Sequence, residues 1–522
     1  MANLPLIDII VIAVYLLAMI LTGFYFSRRN KNPDQFTKAS GTIPGWAIGL
    51  SIYATFLSSN TFLGVPGKAF GSNWNSFVFS LSMPFAAWIA SKFFVPFYRS
   101  TGEISAYTHL ERRFGPWART YTVLCFLLTQ LARMGSIFFG IALSLQALLG
   151  YSMVPIMIVI GICIIIYTVL GGMEAVIWTE VVQGIVKTFG ALLILYLIIR
   201  EIPGGVSRII EIGEQNSKFS LGTISPDFTE ASFWVVLFYG FFINLNNFGM
   251  DQNYVQRYHT AASPRQAAKS VWFCVMLYIP ASLLFFIIGT SLFAYYQLQP
   301  ELLATVKSQA VNERAPGIGA AMQAQLAAGL TPADYGDKVL PHFMVTRVPV
   351  GLMGLIISAI LSAAMSTISS GMNACATVFT VDIYKRHWKP GINDKKQLLI
   401  LRVMTVIFGM MGLAAGIAMI GSKSVLDTWW ELSGIFAGGM LGLFLLGIVS
   451  RRTSGHEALA ATIIGIVVIL WMTFSYLLPP EYEFLRNPLN ANMVIVIGTL
   501  TIFLAGLLIT SFRRSARLGV QQ

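Results

Sequence analysis

Residues 362 to 384 read Ser-Ala-Ala-Met-Ser-Thr-Ile-Ser-Ser-Gly-Met-Asn-Ala-Cys-Ala-Thr-Val-Phe-Thr-Val-Asp-Ile-Tyr. The stretch continues an apolar run from Val348 to Leu361, so Ser366, Thr367, Ser369 and Ser370 fall inside a segment long enough to cross a bilayer. At about 3.6 residues per turn, Ala363, Ser366, Thr367 and Ser370 share one helix face, with Ser369 beside them. A row of hard oxygens in apolar surroundings suits a small hard cation such as sodium. The other reading is close packing of two membrane helices through small residues.

The rest of the chain supplies the setting. Of 522 residues, 56% are hydrophobic and 11% charged, with a mean hydropathy of +0.69, far too apolar for a soluble protein of this size. This is the composition of an all-α polytopic membrane protein whose immediate partner is the lipid bilayer. The net charge of +12 does not imply nucleic acid, because basic residues such as Arg112, Arg113, Lys385, Arg386, Arg451 and Arg452 gather in short connections between apolar runs. Cys125, Cys163, Cys274 and Cys375 all lie within apolar segments, so neither a disulfide framework nor a zinc site is expected. The sequence has no nucleotide-binding Gly-x-x-x-x-Gly-Lys loop and no His-Glu-x-x-His, and its five His are scattered. Neither a pump nor a protease is supported, and no enzyme is expected.

Apolar runs near 6–26, 43–70, 77–98, 118–149, 153–171, 174–199, 232–255, 270–297, 348–383, 398–420, 425–449, 456–478 and 490–512 predict about thirteen spans. The basic connections place the N-terminus outside and the C-terminus in the cytoplasm, with Arg257 among the cytoplasmic residues. The run from Leu6 is longer than a signal-peptide core and reads as a retained first helix. Segments 200–231 and 299–345 fall outside, the latter with an Ala/Gln-rich surface helix over 317–329; Tyr107 to Phe114 reads as a basic helix on the cytoplasmic face. Two spans are poor helices. One holds Ser58, Ser59, Asn60, Gly64, Pro66 and Gly67; the other holds Asn244, Asn246, Asn247, Gly249 and Asp251. Both are expected to unwind locally, and broken backbone at membrane depth persists only where it lines a cavity or binds something. They lie five spans apart, the spacing of an inverted five-helix repeat with substrate and ion at the breaks.

Charges within spans are functional candidates. Arg133 is read either as half of a structural ion pair or as a bidentate clamp on a substrate carboxylate. Glu180 either pairs with Lys187 or a loop arginine, or lends charge to a cation. Asp251, close in sequence to Arg257, reads as a gate or a structural salt bridge.

The blocks Gly49 to Gly67, Gly171 to Glu180, Asp251 to Tyr258, Ser366 to Ser370 with Asp382-Ile383-Tyr384, and Gly438 to Phe444 resemble the sodium/solute symporter family of sodium:glucose cotransporter type. That resemblance implies a LeuT-type fold: an extra helix over 6–26, inverted repeats over 43–199 and 232–449, and C-terminal helices over 456–512. It also implies a main sodium site formed by Ala54, Leu57, Ala363, Ser366 and Thr367. A second site, present in some members, would use Ser366, Ser369, Ser370 and Glu180, where the family usually has Asp.

Within the family the pattern is most similar to the bacterial sialic acid symporters, which share the arginine at 133 and the Ser58/Thr61 pair. The chain departs from them at Phe56, Ser76 and Ser80. Asn244 and Asn247 are candidates to bond a polyhydroxylated ligand or to satisfy unwound backbone, with Phe248 as a cover. The expectation is a monomeric, sodium-coupled importer of a small carboxylated sugar such as sialic acid, in a bacterial inner membrane. A neutral sugar or polyol is the alternative substrate, and a channel or sensor the alternative class.

Overall fold

The computed structural model describes residues 4–28, 32–315, 317, 319–421 and 425–519. Secondary structure among them is helical, apart from one isolated β-bridge between Ile43 and Ala261. In chain order, α1 spans Leu6–Ser27, α2 Gly45–Phe56, α3 Asn60–Gly71, α4 Trp74–Thr101, α5 Thr108–Phe114, α6 Pro116–Leu149 and α7 Met153–Glu201. There follow α8 Phe233–Met250, α9 Gln252–Thr260, α10 Pro264–Leu298, α11 Pro300–Arg314, α12 Ala320–Ala328 and α13 Pro332–Arg347. The chain then forms α14 Leu352–Val378, α15 Asp394–Ala418, α16 Val425–Val449, α17 Gly455–Phe474 and α18 Met493–Gly519.

Ten of the described helices are long and apolar enough to cross a membrane, and the bent pair of α2 and α3 makes an eleventh span. At 49 residues α7 would run to about 74 Å as one straight rod, more than twice the hydrocarbon thickness. Gly172 divides it: its φ of 56° and ψ of −160° are open to glycine and break the helix where the sequence places a boundary between two spans.

The Ser/Thr-bearing helix α14 is the centre of the molecule. Every residue from Ile356 to Val378 is buried, whereas α1 turns most of its surface outward as a lipid-facing helix does. Burial of so many hydroxyls requires partners. Ser362 Oγ pairs with Tyr15 on α1 at 2.7 Å, and Tyr167 on α7 donates to the Met365 carbonyl at 3.0 Å. The start of α14 is capped from a distant part of the chain: Asp8 Oδ1 accepts from the amides of Gly351 and Gly354 at 2.9 and 2.6 Å. A Cβ at Gly354 would lie 2.6 Å from the Asp8 carbonyl, so only glycine admits this approach.

The two poor spans behave differently. α2 ends at Phe56, Leu57 leaves helical geometry (φ −84°, ψ 81°), and the chain resumes in α3 after a bend of 59°. In the other span α8 runs unbroken through Asn244, Asn246 and Asn247, and the break comes at Asp251 (φ −74°, ψ 116°). Asp251 caps the following helix by accepting from the Asn253 amide at 2.8 Å, so an Asx-type cap, rather than the asparagine run, sets the interruption. The segment 299–345 is also more than decoration. α13 packs on α3, with Gly336 so near Gly67 that a Cβ there would lie 2.8 Å from its carbonyl oxygen.

Candidate functional site: a polar cavity beside an oxygen cage

Because α2 stops within the bundle, its last carbonyls lose their intrahelical donors. Their replacements build the site. The Thr55 carbonyl accepts from Thr367 Oγ1 at 3.0 Å and from Arg133 Nη2 at 3.2 Å. The Ala54 carbonyl accepts from Ser366 Oγ at 2.9 Å. Ser366 and Thr367 also reach back to the Ala363 carbonyl, at 3.3 and 3.4 Å. The break in α2 and the hydroxyl face of α14 thus meet, and Ala54, Leu57, Ala363, Ser366 and Thr367 form one cluster. Within it stands the ammonium of Lys187, from the middle of the second half of α7. Its Nζ donates to the carbonyls of Ala54 and Leu57 and to Ser366 Oγ at 2.6, 2.8 and 2.8 Å.

Glu180, two turns earlier on α7, is wholly buried with Arg257 of α9 against it. Arg257 Nη2 lies 2.9 and 2.7 Å from the two carboxylate oxygens and donates to Ser370 Oγ at 2.6 Å and Thr55 Oγ1 at 3.1 Å. The hydroxyls of Ser51 and Ser370 bond to the same carboxylate, while Ser369 donates to the Ser366 carbonyl at 3.2 Å. Of the partners weighed for Glu180 on sequence, the arginine is the one it has. Arg257 itself is fully buried, because the cap at Asp251 turns α9 inward rather than out into a loop.

On the other side of the break lies a cavity. Phe56, Ser58 and Thr61 line it from the broken segment, Ser76 and Ser80 from α4, Arg133 from α6 and Asn247 from α8. Asn60, Tyr239, Tyr278 and Ser282 complete its polar lining. Asn244 instead bonds Ser82 Oγ at 3.1 Å, tying α8 to α4. Phe248 packs behind the wall, its ring 5.6 Å from that of Phe56. Arg133 reaches the cavity from a fixed seat: Nη2 donates to Tyr254 Oη at 3.1 Å, and Nη1 lies 3.6 Å from the Asp251 carboxylate. Asp251 is therefore in a salt bridge, with Arg133 rather than Arg257 as its partner. At 3.6 Å that bridge is longer than a direct hydrogen bond.

Sequence reasoning missed Lys187, Arg257, Tyr254 and Ser282 as members of the site. Lys187 carried a signal of its own, an ammonium inside the run Gly-Ile-Val-Lys-Thr-Phe-Gly-Ala-Leu-Leu, where a charge without a function is expensive. Ser282, 2.7 Å from Ser80, carried none, being one hydroxyl in a long apolar helix.

The family model for the sodium:solute symporter family matches residues 36–465. The chain belongs to that family. It is 34% identical to the sodium/sialic acid symporter NanT of Aliivibrio fischeri over 94% of its length and 92% of the relative's. To the sodium/sialic acid symporter SiaT of Proteus mirabilis it is 32% identical, with the same coverage. A solved structure of a Na+-coupled sialic acid symporter, in a substrate-bound outward-open state, superposes with a TM-score of 0.84. That match has 31% identity and covers 97% of this chain and 98% of that one. Mhp1, a nucleobase-cation-symport-1 family transporter, shares the fold at a TM-score of 0.56 and 15% identity. The architecture is thus the LeuT-type fold, and this family member is a multi-pass membrane transporter.

Proposed function

We propose that this transporter imports a carboxylated sugar of the sialic acid class, driven by sodium entry, by alternating access. The observation that carries the substrate class is Arg133. Its guanidinium faces a cavity otherwise lined by hydroxyls, amides and aromatic rings, the surface a polyhydroxylated acid requires. The Asp251 bridge is loose enough for a substrate carboxylate to take over the outer guanidinium edge, while Ser58, Thr61, Ser76, Ser80 and Asn247 meet hydroxyls. Phe56 and Tyr278 offer apolar faces to a sugar ring. Sodium is the coupling ion of the family, and one charge crossing 100 mV releases about 2.3 kcal/mol, enough for more than tenfold accumulation.

In this reading the broken helices α2–α3 and α8–α9 each open one of two inverted repeats, 43–199 and 232–449. The protein acts as a monomer in a bacterial inner membrane, with its N-terminus outside and its C-terminus in the cytoplasm. The test is binding of N-acetylneuraminic acid to purified protein by calorimetry. Arg133→Ala is expected to weaken binding by at least 100-fold, since a charge-assisted bidentate pair is lost. Undiminished binding would remove the carboxylate clamp and favour a neutral sugar or polyol.

A further inference from the structure

Arg133 and Asp251 meet at the wall of the cavity. Arg133 lines it, whereas Asp251 stands behind the guanidinium and is not among the lining residues. Both hydrogens of Arg133 Nη2 are engaged, on Tyr254 Oη at 3.1 Å and on the Thr55 carbonyl at 3.2 Å. A substrate carboxylate that accepts two parallel N–H bonds from this guanidinium therefore has to use the Nη1 edge. That is the edge Asp251 faces, with its Oδ2 3.6 Å from Nη1. Substrate and Asp251 contend for one nitrogen.

Asp251 is not free to swing aside. Its Oδ1 accepts from the Asn253 amide at 2.8 Å and from Asn253 Nδ2 at 2.7 Å, and its Oδ2 accepts from Gln130 Nε2 at 3.0 Å. These bonds fix the carboxylate between α6 and the start of α9, where it is almost wholly buried. Its charge thus stays beside the guanidinium whichever carboxylate the guanidinium holds, and like charges so close in a dry setting repel. The same bonds keep both Asp251 oxygens satisfied when Nη1 is given up. The opposition to the substrate is one of charge, not of an orphaned acceptor.

We propose that Asp251 is an internal competitor of the substrate carboxylate: a positioning residue that holds Arg133 in the empty transporter, yields its Nη1 edge to the substrate, and limits how tightly that substrate is held. The proposal rests on reading Arg133 as the clamp of an acidic substrate. A carrier has to let its substrate go in every cycle, and a guanidinium with no second carboxylate beside it would retain an acid for long. Replacing Asp251 by Asn removes the charge and leaves the local structure in place. Asn caps a helix as well as Asp does, so α9 keeps its start. Gln130 Oε1 has no partner among the described residues, so the Gln130 amide, turned over, accepts from the new side-chain NH2.

The experiment measures binding of N-acetylneuraminic acid and of its isosteric, uncharged 1-carboxamide to the full-length purified protein in sodium. Asp251→Asn is expected to bind the acid at least about tenfold more tightly and the amide about as the wild type does. In proteoliposomes the same variant should show a lower KM for the acid together with a lower kcat, the mark of slowed release. A purely structural role for Asp251 predicts the reverse, a loss of affinity for both ligands together, and that result, or an unchanged affinity for the acid, would overturn the proposal. Asp251→Ser, which keeps a capping oxygen on a shorter arm, is the second variant and should show the same gain. If neither folds, the wild type decides: it is expected to prefer the acid to the amide by no more than about tenfold, and a preference above about 100-fold, the worth of an unopposed bidentate pair, would contradict the competitor. Failure here is separate from failure of the substrate assignment. Acid binding undiminished in Arg133→Ala removes the clamp itself, whereas a clamp that stands without a gain in Asp251→Asn removes only the competitor.

Discussion

The Glu180–Arg257 pair is the most exposed to a single substitution, because both side chains are fully buried and each is the other's counter-charge. Ser51, Thr55 and Ser370 satisfy remaining lone pairs and protons, which a buried ion pair needs to offset desolvation. Removing one partner strands the other. Glu180→Gln is therefore expected to destabilise the protein by about 3–5 kcal/mol, whereas a double replacement by apolar residues of similar volume should recover much of that loss. Thermal melts of the single and double variants in detergent check this; a single variant as stable as wild type would mean that the charges are hydrated in the membrane. Glu180, where the resemblance implies Asp, meets the Arg257 guanidinium across the cluster. Lys187 and Arg257 are thus two cationic side chains bonded to residues that the resemblance assigns to the main sodium site and to the second site found in some members.

At the scale of elements, position depends on caps and breaks more than on packing. α14 begins under the Asp8 carboxylate, which ties the first helix to the central one. Asp8→Ala should cost about 1–2 kcal/mol, the worth of a helix cap whose loss leaves buried amides unpaired. Denaturation in urea-titrated detergent would show it, and a loss within error would mean that water replaces the carboxylate. This contact was not legible in the sequence, since Asp8 is a single acid at the start of an ordinary apolar run and its partners are more than three hundred residues away.

The hydroxyl face of α14 and the Gly/Pro-rich break in α2 were legible, because helical periodicity and helix-breaking residues are local properties. The second break was legible as to its span but not its place. Three asparagines in the run Asn-Leu-Asn-Asn suggest unwinding, yet inside a membrane an uninterrupted helix satisfies their backbone, and the capping carboxylate of Asp251 decides where α8 stops. Arg257 was misread for the same reason. Counting charges by sequence puts it in a loop, and only the turn at Asp251 sends it inward.

At the scale of the whole molecule, one end of the bundle is tied by a network of ion pairs. Glu111 on α5 accepts from Arg119 of α6 at 2.6 Å and from Arg386, beyond α14, at 2.7 Å. The hydrogen bond from Arg386 and the nearby Arg119 hold its carboxyl below the ordinary carboxylate range, so this tie is charged at neutral pH. Arg119 also grips Asp382, so α5, the start of α6 and the segment just beyond α14 form a closed network. This network follows directly on α14, the helix whose Ser366 and Thr367 face the break in α2.

The central claim, sodium-driven import of an acidic sugar, is tested most directly in proteoliposomes loaded with potassium and placed in sodium, following labelled N-acetylneuraminic acid. The account predicts accumulation above the external concentration that collapses when an ionophore dissipates the sodium gradient. Uptake that halts at equal concentrations, or that is unchanged when potassium replaces external sodium, would contradict it.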